Sequence, residues 1–190
     1  ICTGGTASII LYNSEIGVSY QLRDDSDNSP VGTPVTGTGG NIVLISSPVT
    51  TTTYNVLTTS MFSACSEELS DKSTVPVVSD PAIATQPSGA VICSEGTHTM
   101  SVIATGGTPS LTYQWQESDD NGVSDAWSNA AGGSGSATTT YTTPELTGTM
   151  YYRVVISASG AGCGTINSGS AAVTMDNTAP TFTRPVDITI

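Results

Sequence analysis

Four cysteines, one histidine and several clusters of carboxylates are the residues of this 190-residue chain that could do chemistry. Cys2, Cys65, Cys93 and Cys163 are far apart in sequence and lack the close pairing that a zinc site or a Cys-x-x-Cys redox motif needs. Disulfide formation is the chemistry left to them. Two fall in each of the two modules expected below, residues 1–79 and 80–176, so Cys2 is expected to bond Cys65 and Cys93 to bond Cys163. Each bond would close a loop of about 65 residues, which stabilises a fold by about 4 kcal/mol in the chain-entropy model. Such bonds imply an oxidising compartment outside the cytoplasm.

Catalysis has little to work with. His98 falls on the outward phase of a strand pattern, with neither a second histidine nor a reactive thiol to partner it. The pairs Glu67-Glu68 and Asp119-Asp120 would suit glycoside hydrolysis only if they flanked a cleft, and both fall in expected turns. The chain is therefore read as non-enzymatic. Asp24, Asp25 and Asp27, with Asn28, put hard oxygen ligands on one loop, the chemistry Ca²⁺ prefers, but without the bidentate acid at the twelfth position of an EF-hand. Asp80 and Asp176 form a second candidate calcium set because they fall at expected module junctions. A solvated turn is the alternative for both sets; no cofactor is expected, calcium being the one candidate. Trp127, beside glycine-rich sequence, is the candidate glycan contact, whereas Trp115, Tyr113 and Tyr152 have the phase of core residues.

Sixteen acids against four bases set a formal net charge of −12, which repels phosphate backbones and argues against nucleic-acid binding. No run of eighteen apolar residues is present, so no membrane-spanning helix is expected, and no charged-then-apolar leader opens the chain. The fragment begins without Met and reads as a piece of a longer secreted protein.

The elements that must carry these residues read as strands. Val18, Tyr20 and Leu22 alternate with Ser19, Gln21 and Arg23; Met100, Val102 and Ala104 alternate likewise, as do Tyr113 and Trp115, and Tyr152, Val154 and Ile156. Asp24 to Pro30, Gly37 to Gly40 and Asp119-Asp120-Asn121-Gly122 are turns. No segment keeps helical periodicity over twelve residues, so little or no helix is expected. The pattern occurs twice. Cys2, Tyr20-Gln21-Leu22, Tyr54 and Cys65 recur in order as Cys93, Tyr113-Gln114-Trp115, Tyr152 and Cys163, and the interval from Tyr54 to Cys65 equals that from Tyr152 to Cys163. We therefore expect an all-β chain of two tandem immunoglobulin-like β-sandwich modules, residues 1–79 and 80–176. Residues 177–190 form a linker and the first strand of a truncated third module.

Cys93-x-x-Gly96, Tyr113-Gln114-Trp115-Gln116, Asp119-Asp120-Asn121-Gly122, Tyr152-Arg153-Val154-Val155 and Cys163 together resemble the Ig-like repeats of very large surface proteins from gliding and biofilm-forming Bacteroidota, the SprB type of gliding-motility adhesin. The tail from Asp176 to Ile190 resembles the first strand of a hyaline-repeat (HYR) module, with Arg184 where many such modules carry Cys. The segment from Leu146 through Tyr152 resembles the one bearing the tyrosine corner of immunoglobulin domains. One departure is plain: Val102 and Val154 hold the two core-cysteine positions of antibody domains. The bridges are therefore expected at the sandwich edge, with Trp115 packed on aliphatic side chains.

The resemblance implies a non-catalytic repeat or stalk segment of a large secreted adhesin, serving surface attachment or gliding on the outside of a bacterial cell. Its implied partners are neighbouring modules of the same chain and, through the full-length protein, an extracellular polysaccharide or other cell-surface ligand. A polysaccharide-binding accessory module of a secreted enzyme is the second reading, and a matrix protein assembling through edge strands is the third.

Overall fold

The computed structural model describes residues 1–178. Its strands are β1 (Ala7–Leu11), β2 (Val18–Asp24), β3 (Pro30–Thr36), β4 (Ile42–Ser46), β5 (Thr52–Ser60), β6 (Ser66–Glu68) and β7 (Ser73–Val75) in the first sequence copy. The second copy supplies β8 (Ala82–Thr85), β9 (Ala90–Cys93), β10 (Thr99–Ser101), β11 (Ile103–Thr105), β12 (Leu111–Ser118), β13 (Ser128–Asn129), β14 (Thr140–Thr142), β15 (Met150–Ala158), β16 (Thr165–Asn167) and β17 (Ala171–Asp176). No helix forms among the described residues. The expected first strand of a third module, within residues 179–190, lies outside the described residues.

Two compact units make up the chain. The first comprises Ile1–Ala84, Ala104–Thr112 and Ile156–Ile166; the second comprises Thr85–Ile103, Tyr113–Val155 and the chain from Asn167 onward. Two segments of the second sequence copy thus belong to the first unit, where the Cys2 amide donates to the Ala161 carbonyl (2.9 Å) and the Gly107 amide to the Ser79 carbonyl (2.8 Å).

In the first unit β1 pairs with β4, and a second sheet runs β3-β2-β5-β6, with β7 also on β5. Alternation decides which side chains enter: Ile42, Leu44 and Ser46 of β4 point inward while Val43 and Ile45 face out. The core is Ile9, Tyr20, Leu22, Ile42, Leu44, Tyr54, Val56 and Val75, each aliphatic member contributing about 1.5–3 kcal/mol by leaving water.

In the second unit the main sheet runs β13-β12-β15-β17-β9, with β9 parallel to β17, and β10 pairs with β14. Met100, Val102, Trp115, Tyr141, Leu146, Tyr152, Val154 and Val173 are buried. Trp115 stacks on Tyr141 at 5.8 Å, and Tyr141 packs on Tyr152 at 5.6 Å. Tyr141, which enters from β14, thus puts an aromatic ring on the indole. The Trp115 Nε1 donates to the Thr138 carbonyl (2.9 Å). The Tyr152 hydroxyl is buried without a partner among the described residues, so the tyrosine-corner bond is not made; burial pushes its pKa up.

The two copies repeat down to side-chain bonds. Gln21 Nε2 donates to the Leu22 carbonyl and Gln114 Nε2 to the Trp115 carbonyl, both at 2.8 Å. Arg23 Nε donates to Asn55 Oδ1 across β2 and β5, and Arg153 Nε donates to Gln116 Oε1 between β15 and β12, both at 2.9 Å. The cation and the amide have exchanged strands while the cross-strand pair is kept.

Candidate functional site

The cysteines pair otherwise than expected. Cys2 bonds Cys163, with Cα atoms 4.9 Å apart and a sequence separation of 161, while Cys65 and Cys93 are free and exposed. The expected Cys2–Cys65 and Cys93–Cys163 bonds are both corrected, and strand direction is the reason. Cys2 bridges to Val78 in parallel, beside the chain that leaves the Thr51 end of β5, where the Thr51 hydroxyl bonds Val77. Cys65 follows the Ser60 end, where Ser60 donates to its carbonyl. Nine residues of β5 separate those ends, about 30 Å at strand rise, whereas a disulfide needs Cα atoms within about 7 Å. In the second copy Cys93 lies in register with Asp176, beyond the Met150 end of β15, and Cys163 follows the Ala158 end.

Around the bond the backbone is close-packed. A Cβ on Gly5 would overlap the Ala161 carbonyl, so only glycine fits where the Cys163 turn meets the Cys2 turn. Cys2 is fully buried.

Asp24, Asp25 and Asp27 share one turn, but among the described residues their carboxylates do not converge as a ligand set, and each has a partner. Both oxygens of Asp25 take the Lys72 ammonium, at 2.6 and 2.9 Å, and Asn55 Nδ2 donates to Asp25 (3.1 Å) and to the Asn28 side chain (2.8 Å). The Lys72 bond, then that of Asn55, lowers the Asp25 pKa, and Asp25 raises that of Lys72. Asp24 accepts from the amide and hydroxyl of Ser26, and Asp27 from the Ser29 amide (2.8 Å). A cation reaching Asp25 has to displace an ammonium. The hub Asn55, 1% exposed, gave no sequence signal, being one polar residue among several in β5.

The junction acids are placed separately. Asp80 is exposed in the first unit; Asp176, in the second, caps its own turn by accepting from the Thr178 amide (2.9 Å) and hydroxyl. Glu67 and Glu68 lie on β6 rather than in a turn, and Glu68 pairs with Arg23. Asp119, Asp120 and Asp125 converge to within 4.8 Å, a grouping that the sequence reading missed because Asp125 follows the turn. Asp120 is held at a pKa of about 2 by bonds from Ser124, Ser118 and Val123. Trp127 is half-buried, lying 4.6 Å beneath the Arg153 guanidinium, which covers one ring face, and close to Gly122. His98 Nε2 lies 3.0 Å from the Ser88 carbonyl.

Two successive sandwich copies with Tyr and Trp or Leu on the central strand define a chain of tandem Ig-like modules. One solved structure agrees on the fold, and two further matches are weaker. An I-band fragment from titin matches 92% of this chain and 61% of its own at 10% identity, with a TM-score of 0.50. The Ig1-2 module of the Drosophila receptor protein tyrosine phosphatase DLAR matches 92% of both chains at 17% identity and a TM-score of 0.39. The two Ig domains of DIP-gamma match 94% of this chain and 93% of theirs at 10% identity and 0.47. No curated protein matches the sequence. The model of one family, domain of unknown function DUF8696, matches residues 83–177, half of the chain, and the chain belongs to that family.

Proposed function

We propose that the chain is a non-catalytic repeat segment of a large extracellular adhesin of the bacterial cell surface, similar to the gliding-motility adhesin SprB, and that its role is mechanical. Its modules run over residues 1–79 and 80–176, with a third beginning at 177. The observation that carries this reading is the Cys2–Cys163 bond: it ties the opening of one copy to the closing turn of the next, so that load crosses the pair through a covalent link. Disulfides persist in oxidising compartments, in keeping with the extracellular site. The bound surface ligand belongs to the full-length protein.

The second reading, a polysaccharide-binding accessory module, would need several rings open on one face. Trp115 and Tyr152 are fully buried, and Arg153 covers Trp127. A glycan array separates the two. The stalk reading expects no binding by the chain; binding that Trp127→Ala abolishes would overturn it.

A further inference from the structure

Cys65 and Cys93 are unbonded, yet each stands in the backbone setting of a bonded counterpart. Cys2 bridges Val78 in parallel, and Cys93 bridges Asp176 in parallel, each the residue that closes its own copy. The Gly5 amide donates to the Cys2 carbonyl (2.9 Å), and the Gly96 amide to the Cys93 carbonyl (3.0 Å). The residues between, Gly4 and Glu95, are both left-handed, with φ of 75° and 61°.

The closing cysteines match in the same way. Cys65 follows Ala64 (φ 55°) in the turn from β5 to β6, and Cys163 follows Gly162 (φ 77°) in the turn from β15 to β16. Beside each turn two hydroxyls bond across the hairpin, Thr59 with Ser66 at 3.0 Å and Ser157 with Thr165 at 3.1 Å. A non-glycine residue held left-handed, as Glu95 and Ala64 are, is uncommon, so the turn shape is retained at both free cysteines.

We propose that Cys65 and Cys93 are the open halves of the same bridge. Cys93 takes the closing-turn cysteine of an Ig-like module that follows it, and Cys65 the opening-turn cysteine of one that precedes it. The seat for the first partner is present: a Cβ on Gly96 would first meet the Cys93 carbonyl and the Ile92 side chain of its own turn, where one on its counterpart Gly5 would meet the Ala161 carbonyl of the docked turn. Each bond forms as two thiols lose two protons and two electrons to a disulfide oxidant, which leaves as the dithiol. Cys65 and Cys93 both lie inside the loop closed by Cys2 and Cys163, so successive covalent loops overlap along the array. This inference rests on the repeat and not on the adhesin reading; the glycan array leaves it untouched.

The test begins with the full chain oxidised by glutathione disulfide and mapped without reduction. Cys2–Cys163 is expected with Cys65 and Cys93 open to alkylation; a Cys65–Cys93 bond within the monomer overturns the proposal. Full-chain variants Cys65→Ser and Cys93→Ser, each with one free thiol, are then mixed in equal amounts and oxidised. The expected product is the mixed dimer joined through Cys93 and Cys65, about ten-fold over either like dimer; a statistical mixture overturns the proposal. A chain in which residues 80–176 are repeated after Asp176 distinguishes a tethered partner from a second copy. A monomer with Cys93 bonded to the added Cys163 assigns the bridge to neighbours in one polypeptide, and an added Cys163 bonded to Cys65 overturns it.

Discussion

Pulling the chain by its ends tests the bridge directly. The bond spans 161 residues, and an extended residue contributes about 3.3–3.6 Å, so oxidised chain withholds about 550 Å of contour however far its sandwiches unfold. Load entering at Ile1 passes through the two sulfurs and leaves along β16 and β17, so β1 to β15 lie outside its path. In an optical trap, the oxidised chain should show no unfolding step longer than about 90 Å, the contour of the 27 residues after Cys163, below the force that ruptures a disulfide. Adding reductant, or introducing Cys2→Ser, should release about 550 Å as the copies unfold. Cys93→Ser should change nothing, since that thiol is exposed and unbonded. Bridges within each copy would instead withhold about 220 Å apiece from loops of about 65 residues. A release on reduction of two such lengths, or sensitivity to Cys93→Ser, would refute the connectivity and the mechanical role built on it. At equilibrium the same bond contributes at most about 5 kcal/mol by the chain-entropy model.

Other expectations follow from buried or bonded side chains. Asn55→Ala removes an acceptor from Arg23 and donors to Asp25 and Asn28, and should cost about 2–4 kcal/mol in denaturant unfolding; a cost within error of zero would show that the hub does not organise the loop. Trp115→Ala, at a fully buried ring, should cost about 3–5 kcal/mol, against about 1 kcal/mol or less for Trp127→Ala; equal costs would contradict the core assignment. Asp120 should titrate near 2 in a carbon-detected NMR experiment. Because its folded pKa lies below the ordinary 3.8, its contribution is present above that value and is lost as pH falls toward 2. Asp120→Asn should flatten that part of the acid-stability profile, and a midpoint near 4 would contradict the Ser124 and Ser118 bonds.

What could be read in advance followed from periodicity. Alternation along Val18 to Arg23 and along Tyr152 to Ile156 assigned inward faces correctly, because a half-buried strand has one period and each slip would expose its core. The exchange of Arg23 and Asn55 for Gln116 and Arg153 was not legible, because a cross-strand pair depends on register, and register is set by partners distant in sequence. Asp125 joining Asp119 and Asp120 escaped for the same reason: loop closure has no periodic signature.

The cysteines show why counting residues per copy misleads in a repeat. Each copy holds two, which suggests closure within the copy, but strand direction puts the opening cysteine beyond one end of the long strand and the closing cysteine beyond the other. The interval from Tyr54 to Cys65 already contained this, since a strand that continues past its tyrosine carries the next turn away from the chain's opening. A pair that cannot meet inside one module can meet between modules when the closing end of one faces the opening end of its neighbour. The Cys2–Cys163 bond joins the opening cysteine of the first copy to the closing cysteine of the second, and it leaves the inner cysteines, Cys65 and Cys93, unbonded.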